Sequence, residues 1–312
     1  MHVALIGGTR FIGPAVAEAL LARGHRVSAL HRGLHPSPVE DMASVPCERS
    51  DAAALAATLA DLAPDAAVDT RAMTEGDARV ASAALGSTPS VVLSSQDVYA
   101  QFGRIKGLDA PPPEPELYED SPLGAPFAYR GLPGYEDLPD YDKKRVEAVY
   151  VRDGALFERP TAILRLPAVY GPRDPQRRFG ALLDALDAGE PVPCEGEAGW
   201  RWSHSHVDNV AHAVALAVEA MRPGCHLYNV SEPEAWSMRE WAERIAEVAG
   251  RELRWAETEG LDSEWALFGR WRNDLVVRSA RIRSTLRFEE VLDAEARVRD
   301  LVDCLRATRD AA

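Results

Sequence analysis

No run of apolar residues in this chain reaches the ~18 that a helix needs to cross a bilayer, so no membrane partner is expected. The N-terminus lacks a basic stretch followed by an apolar core and a small-residue cleavage site. It runs directly into "HVALIGG", and a cytoplasmic protein is the expectation. Positive charge is in short supply: 35 Lys and Arg stand against 49 Asp and Glu, a formal net charge of -14. Such a chain repels a phosphate backbone, which argues against nucleic acid as a partner. Cysteine is sparse too, with Cys47, Cys194, Cys225 and Cys304 far apart and in neither metal-ligand nor disulfide-framework spacing, so reduced thiols are expected. His204 and His206 form a His-x-His pair, but with no third ligand candidate nearby they indicate no metal site. There is no internal repeat, and no tryptophan precedes Trp200.

What is present is alternation. The runs "HVALI", "RVSAL", "AAVDT" and "SVVLSS" read as strands, separated by helical runs such as "PAVAEALLARG" and "DAAALAATLADLAP". "TAILRL" reads as a further strand, and "VDNVAHAVALAVEA" as an apolar-faced helix leading into "CHLYNV". Pro14 suits a first helical turn, Gly24 a helix C-terminus, and Asp51 an N-cap. The order predicts an α/β fold, a Rossmann-type doubly wound parallel sheet with a smaller C-terminal α/β substrate lobe. The nucleotide domain is expected to comprise residues 1–170 and 205–230, and the lobe 171–204 and 231–312, where all seven tryptophans fall. The Pro- and Gly-rich segment Gln101–Pro139 has no periodicity. It is either a solvated insertion or a cover over the active site.

After the first strand comes "GGTRFIGPAVAEAL", which places Gly7, Gly8 and Gly13 on a strand-to-helix turn. Glycines there let the backbone approach a pyrophosphate, and the helix that follows offers free N–H groups. Dinucleotide binding is the chemistry indicated. At the end of the second strand, where an NAD site places a carboxylate for the ribose, the chain has His31 and Arg32, with Arg10 inside the glycine loop. Donors and cations suit a 2′-phosphate, so NADP(H) is expected in preference to NAD(H).

Taken in order, "GGTRFIG", "LSSQDVYA", the helix expected to carry Tyr141, "LRLPAVYGPRD" and "HVDNVAHAVALA" resemble the extended short-chain dehydrogenase/reductases, the NAD-dependent epimerase/dehydratase family. The form "GGTRFIG" looks like an atypical branch that includes chloroplast RNA-binding proteins, although the charge of -14 argues against RNA here. The resemblance implies a homodimer and a cofactor held by Gly7, Gly8, Thr9, Arg10, Phe11, Ile12 and Gly13, with His31, Arg32, Asp51 and Ala72. It also implies a Ser/Thr–Tyr–Lys active site. Ser95 matches the serine, Asp97 the position of a base, and Tyr141 the tyrosine, yet none of the eight tyrosines has a lysine four residues on. Lys144 and Arg145, at the third and fourth positions after Tyr141, are the expected cations, since both fall on its side of a helix. Ser94 is expected to be structural. Arg173, Arg201 and the pair Arg177 and Arg178 are candidates for a substrate phosphate. The function expected is an NADP(H)-dependent oxidoreductase or epimerase acting on a sugar-like or other small polar hydroxyl or carbonyl substrate. The alternative is a catalytically silent NADP(H)-binding sensor.

Overall fold

The computed structural model describes residues 1–35, 37–108, 111–132, 134–194, 199–257 and 274–310, so stretches of the expected C-terminal lobe at 195–198 and 258–273 lie outside the described residues. The strands are β1 (His2–Ile6), β2 (Arg26–His31), β3 (Ala43–Pro46), β4 (Ala66–Asp69), β5 (Ser90–Ser95), β6 (Thr161–Leu166), β7 (Ala168–Tyr170), β8 (Val192–Cys194), β9 (His204–His206), β10 (Cys225–Asn229) and β11 (Trp255–Glu257). The helices are α1 (Ile12–Ala22), α2 (Ala52–Leu62), α3 (Glu75–Leu85), α4 (Ala100–Ile105), α5 (Lys143–Leu156), α6 (Gly180–Ala188), α7 (Val207–Glu219), α8 (Met238–Ala249), α9 (Ala280–Leu286) and α10 (Ala294–Asp310).

Seven strands form one parallel sheet in the order β10-β6-β5-β4-β1-β2-β3. β1, β4 and β6 are buried along their whole length, as strands covered on both faces must be, and for that reason they read as continuous apolar runs. Helices α1 and α7 cover one face through Val16, Leu20, Val210 and Val214. On the other face α2, α3 and α5 contribute Leu55, Leu59, Ala78, Ala81, Val146 and Tyr150. The chain runs outward from β1 through β2 to β3, then returns to β4 on the opposite side of β1. This reversal leaves a crevice at the carboxyl ends of β1 and β4, where open α/β sheets bind ligands. The parallel, doubly wound fold is as the alternation indicates, and Asp51 caps α2 through the Ala53 and Ala54 amides at 3.1 and 3.0 Å. Strand β3 has no signal of its own, being four mostly exposed residues at the sheet edge that are ordered by pairing with β2.

A second apolar cluster joins α6, α8 and α10, with Tyr170, Phe179, Trp236, Trp241, Ile245, Leu301 and Leu305 at its centre. His204 and His206 belong to this packing. The His204 ring lies 5.3 Å from those of Phe179 and Trp241 and bonds the Trp202 carbonyl at 2.9 Å. His206 bonds Asp300 at 2.9 Å. Among the described residues no group of His, Cys, Asp and Glu could hold a metal ion, and no helix is long and apolar enough to cross a membrane.

Candidate active site

The glycine turn is built by close approach. A Cβ on Gly13 would sit 2.6 Å from the Gly8 carbonyl, and one on Gly8 would lie 2.9 Å from the Leu5 Cβ. Gly7 has φ +91°, and the Thr70 hydroxyl fixes the turn by donating to the Gly7 and Ile6 carbonyls at 2.8 and 3.0 Å. Helix α1 begins after Phe11 with no side-chain cap; the Gly13 amide turns back to the Arg10 carbonyl at 3.1 Å and Pro14 has no N–H, so the Ile12 amide is the donor of the first three helical residues left to an anion. This cradle fits the pyrophosphate of a dinucleotide. Thr9, Phe11 and Ile12 line the turn half-buried, and Arg10 is exposed. At the end of β2 the His31 ring bonds Ser44 Oγ at 2.7 Å and accepts from the Gly33 amide at 3.0 Å. Arg32 is exposed, and neither the Arg10 nor the Arg32 guanidinium makes a hydrogen bond or ion pair among the described residues. A buried brace supports the crevice from below: Arg49 grips Asp69 at 2.9 and 3.1 Å, and the Tyr150 hydroxyl donates to Asp69 at 2.7 Å. Burial works to raise the Asp69 pKa, and the Arg49 guanidinium outweighs it, holding the carboxyl below its usual range.

Strand β5 delivers the polar groups. Because side chains alternate across a strand, Ser94 and Ser95 point apart. The Ser94 hydroxyl donates to Glu147 at 2.6 Å, and Glu147 also receives Arg165 at 2.8 and 3.0 Å, so Ser94 ties β5 to α5 and β6. Ser95, half-buried at the strand's end, caps the single 3-10 turn Gln96–Val98 by accepting from the Asp97 amide at 3.4 Å. The end of the Gln96 amide that faces the Trp202 indole N–H at 2.7 Å and the Ala168 amide at 3.2 Å meets two donors, which assigns it as the oxygen. Asp97 is buried, its Oδ2 accepting from the Tyr141 hydroxyl and its Oδ1 without a partner. An orphaned buried carboxylate oxygen is rare in folded proteins and marks a place for a ligand's donor.

Tyr141 does not lie on the helix. It forms a one-residue antiparallel bridge with Thr74, and α5 starts only at Lys143 with Asp142 as its N-cap. Positions counted at helical spacing from Tyr141 therefore point elsewhere than the sequence suggests. Arg145 turns away from Tyr141 and engages Glu75 of α3, stacking 5.0 Å from the Phe127 ring. Lys144 pairs with Asp142 at 3.0 Å. The cation that enters the site is Lys143, fully enclosed, its amine donating to the Ala72 carbonyl at 2.7 Å and the Leu93 carbonyl at 3.1 Å. Ala72 thus meets this lysine. Burial pushes the Lys143 pKa down, and the carboxylates of Asp97 and Asp69 push back. A signal for Lys143 was available, because Asp142 is a strong N-cap residue and dates the helix start to the residue after it.

Two further tyrosines close the site. The Tyr129 hydroxyl donates to the Asp97 carbonyl at 2.5 Å, and its ring stacks on Tyr135 at 5.2 Å. Tyr135 lies 5.3 Å from Tyr141. Both come from the segment expected to be insertion or cover. That segment is pinned down at Leu117, which bridges to Val277, and at Glu119, which accepts from the Asn229 amide at 2.8 Å. No local pattern marks Tyr129 and Tyr135, since only the fold carries them to Asp97. Enclosure shapes the titration. Burial raises the Asp97 pKa, with Tyr141 and Lys143 opposing. Burial and then the Asp97 charge raise Tyr141 well above the usual phenol value. The two groups share protons as a pair.

The candidate phosphate arginines are otherwise engaged. Arg173 pairs with Glu18 at 2.8 Å, Arg177 with Asp184 at 3.4 Å, Arg178 with Asp174 at 2.9 Å, and Arg201 with Asp274 at 2.6 Å.

Residues 3–88 match the NAD dependent epimerase/dehydratase family. Over 276 residues the chain is 31% identical to a "3-diazoavenalumate denitrifying reductase" from Streptomyces sp, a match covering 80% of this chain and 82% of that protein. In fold it is similar to the UDP-glucose 4-epimerase of Thermotoga maritima solved with UDP-glucose, at TM-score 0.76 and 14% identity, covering 99% of this chain and 100% of that one. The UDP-glucuronic acid 4-epimerase of Bacillus cereus in complex with NAD gives TM-score 0.74 at 14% identity, covering 100% and 99%.

Proposed function

This chain belongs to the NAD dependent epimerase/dehydratase family, and from that premise we propose that it is an NADP(H)-dependent oxidoreductase working in the reductive direction on a small substrate. The observation that carries the reading is the convergence of Asp97, Tyr141 and Lys143 at the carboxyl end of β5, next to the switch-point crevice with its glycine cradle. The dinucleotide, when bound, supplies the hydride. Gly7, Gly8 and Gly13 hold its pyrophosphate against α1. Lys143, displaced from its two carbonyls or shared with them, donates to the ribose side of the site and balances charge on the Asp97–Tyr141 pair. Burial and the Asp97 charge keep Tyr141 protonated, so its proton is present to be given to an oxygen or carbon that gains negative charge, with Ser95 orienting that atom. Asp97, whose pKa burial raises, would take up a proton from solvent and pass it to the Tyr141 oxygen after the tyrosine has given its own to the substrate. The 31% identity to a protein named as a reductase supports the direction.

Preference for NADP(H) rests on Arg10 of the glycine turn and Arg32 just after β2, both exposed and without an ion pair among the described residues, whereas the His31 ring is engaged by Ser44 and Gly33. Asp51 spends one carboxylate oxygen on capping α2, and its other oxygen is the group it would offer to the same cofactor. The substrate-binding lobe is assigned to 171–204 and 231–312, whose described part is built on the second apolar cluster. A homodimer belongs to the same proposal and rests on family resemblance alone, while a cytoplasmic location rests on the N-terminal sequence and the want of a long apolar run. The test is direct. NADPH is expected to bind more tightly than NADH in a calorimetric titration. Tyr141→Phe is expected to lower NADPH-dependent turnover by about a hundredfold or more while moving NADPH affinity by less than about threefold. Unchanged turnover would overturn the assignment of Tyr141, and dinucleotide binding with no turnover on any carbonyl, enone or nucleotide-sugar substrate would restore the silent-sensor reading.

A further inference from the structure

The substrate class can be narrowed from the charges and rings around the Asp97–Tyr141 pair. A nucleoside diphosphate needs cations that are not already neutralised, yet Arg173, Arg177, Arg178 and Arg201 each meet a carboxylate of this chain. A sugar needs a hydrogen-bond partner for each of its hydroxyls, yet around this pair the described groups left to a substrate are the Asp97 Oδ1, the Ser95 hydroxyl and the Tyr141 proton, while the Tyr129 hydroxyl is held by the Asp97 carbonyl.

Lys106 is different. It follows α4 directly, half-buried, its amine 6.0 Å from the Phe102 ring centroid and 5.7 Å from that of Tyr135. It makes no hydrogen bond or ion pair with any described residue, and Asp97 is the charge that acts on it, against the burial that lowers its pKa. An ammonium flanked by rings and short of acceptors attracts an anion. Tyr135, one face of this arrangement, also lies beside Tyr129 and Tyr141, and Phe102 meets Tyr129 edge to face at 5.7 Å. A cation and a proton-transfer pair therefore border one aromatic wall.

We propose that Lys106 anchors the carboxylate of a small aromatic acid whose ring packs among Phe102, Tyr129 and Tyr135, placing its other end at Asp97 and Tyr141. This rests on the reading of Asp97 and Tyr141 as the active pair. Lys106 then sets specificity, selecting a compact monoanion over a nucleotide sugar.

The experiment is isothermal titration of the full chain with 4-hydroxybenzoate, cinnamate, methyl cinnamate and UDP-glucose, each with and without saturating NADPH. At least one of the two acids is expected to bind more tightly than UDP-glucose. Lys106→Met is expected to weaken that acid by about tenfold or more while leaving methyl cinnamate and NADPH within about threefold, since a single charge-assisted contact is lost. Retained NADPH binding shows that the variant is folded, and Lys106→Gln serves if Lys106→Met is not. If neither acid binds, if the acid binds wild type and variant alike, or if UDP-glucose binds more tightly, the inference falls. Loss of NADPH binding in the wild type would instead remove the oxidoreductase reading beneath it.

Discussion

One lysine decides how the tyrosine is served. Tyr141 has an arginine four residues on, and the structure sends that arginine to Glu75 while Lys143 takes the enclosed position against the Ala72 and Leu93 carbonyls. The two cations can be separated by mutation. Lys143→Met is expected to lower turnover by about a hundredfold or more, because it removes the only one of the two that enters the site, whereas Arg145→Ala is expected to leave turnover within about threefold, as befits a partly exposed ion pair. Steady-state rates with NADPH and a turned-over substrate check both, and the reverse ranking would assign the role to Arg145. The glycines were plain in the sequence for a contrasting reason. A Cβ clash of 2.6 Å at Gly13 is a consequence of residues within the same turn, so spacing alone reveals it.

Helix α5 shows how an element's starting point governs its chemistry. Asp142, wholly buried, caps it by accepting from the Lys144 amide at 3.0 Å and also takes the Phe127 amide at 2.8 Å, so one carboxylate ties the helix start to the segment over the site. Asp142→Ala is expected to cost about 1–2 kcal/mol of stability in urea unfolding, with Asp142→Asn retaining most of it. A loss under ~0.5 kcal/mol for the alanine would show that the cap is dispensable. The described part of the segment Gln101–Pro139 also answers whether it is solvated or a cover: Tyr129, Tyr135 and Glu119 pack inward, and the Gln101 side chain bonds the Glu114 backbone and the Asp274 carbonyl at 2.6 Å. Its irregular backbone hides this, because no period repeats along it.

At the scale of the whole molecule, the second apolar cluster makes stability depend on pH through His204. Burial holds its pKa down at about 3, and the Trp202 carbonyl only partly opposes. An unfolded histidine titrates near ~6.5. Below that pH the unfolded chain takes up a proton that the folded chain refuses, so stability falls as pH drops from ~6.5 toward 3, and above ~6.5 this residue has no effect. The slope from one such group approaches about 1.4 kcal/mol per pH unit. His204→Gln is expected to flatten the change in urea midpoint between pH 7 and pH 5, and equal slopes in the two proteins would refute it. The carboxylate Asp69 acts lower on the scale. Its folded pKa lies below the unfolded value, so its contribution is present above ~3.9 and is lost as pH falls through the folded pKa.

The sequence by itself determined the parallel sheet, its helical layers and the dinucleotide turn, because strand runs, helix caps and glycine spacing are written within ten or so neighbouring residues. Only the tertiary structure decided which charges remain available. Arg173 finds Glu18 and Arg201 finds Asp274 across long stretches of chain, and Tyr129 reaches Asp97 from an irregular loop. An ion pair or a ring contact depends on which elements the topology brings together in space, and no local period encodes that. The chemistry of this site therefore follows from partners that the chain order keeps apart.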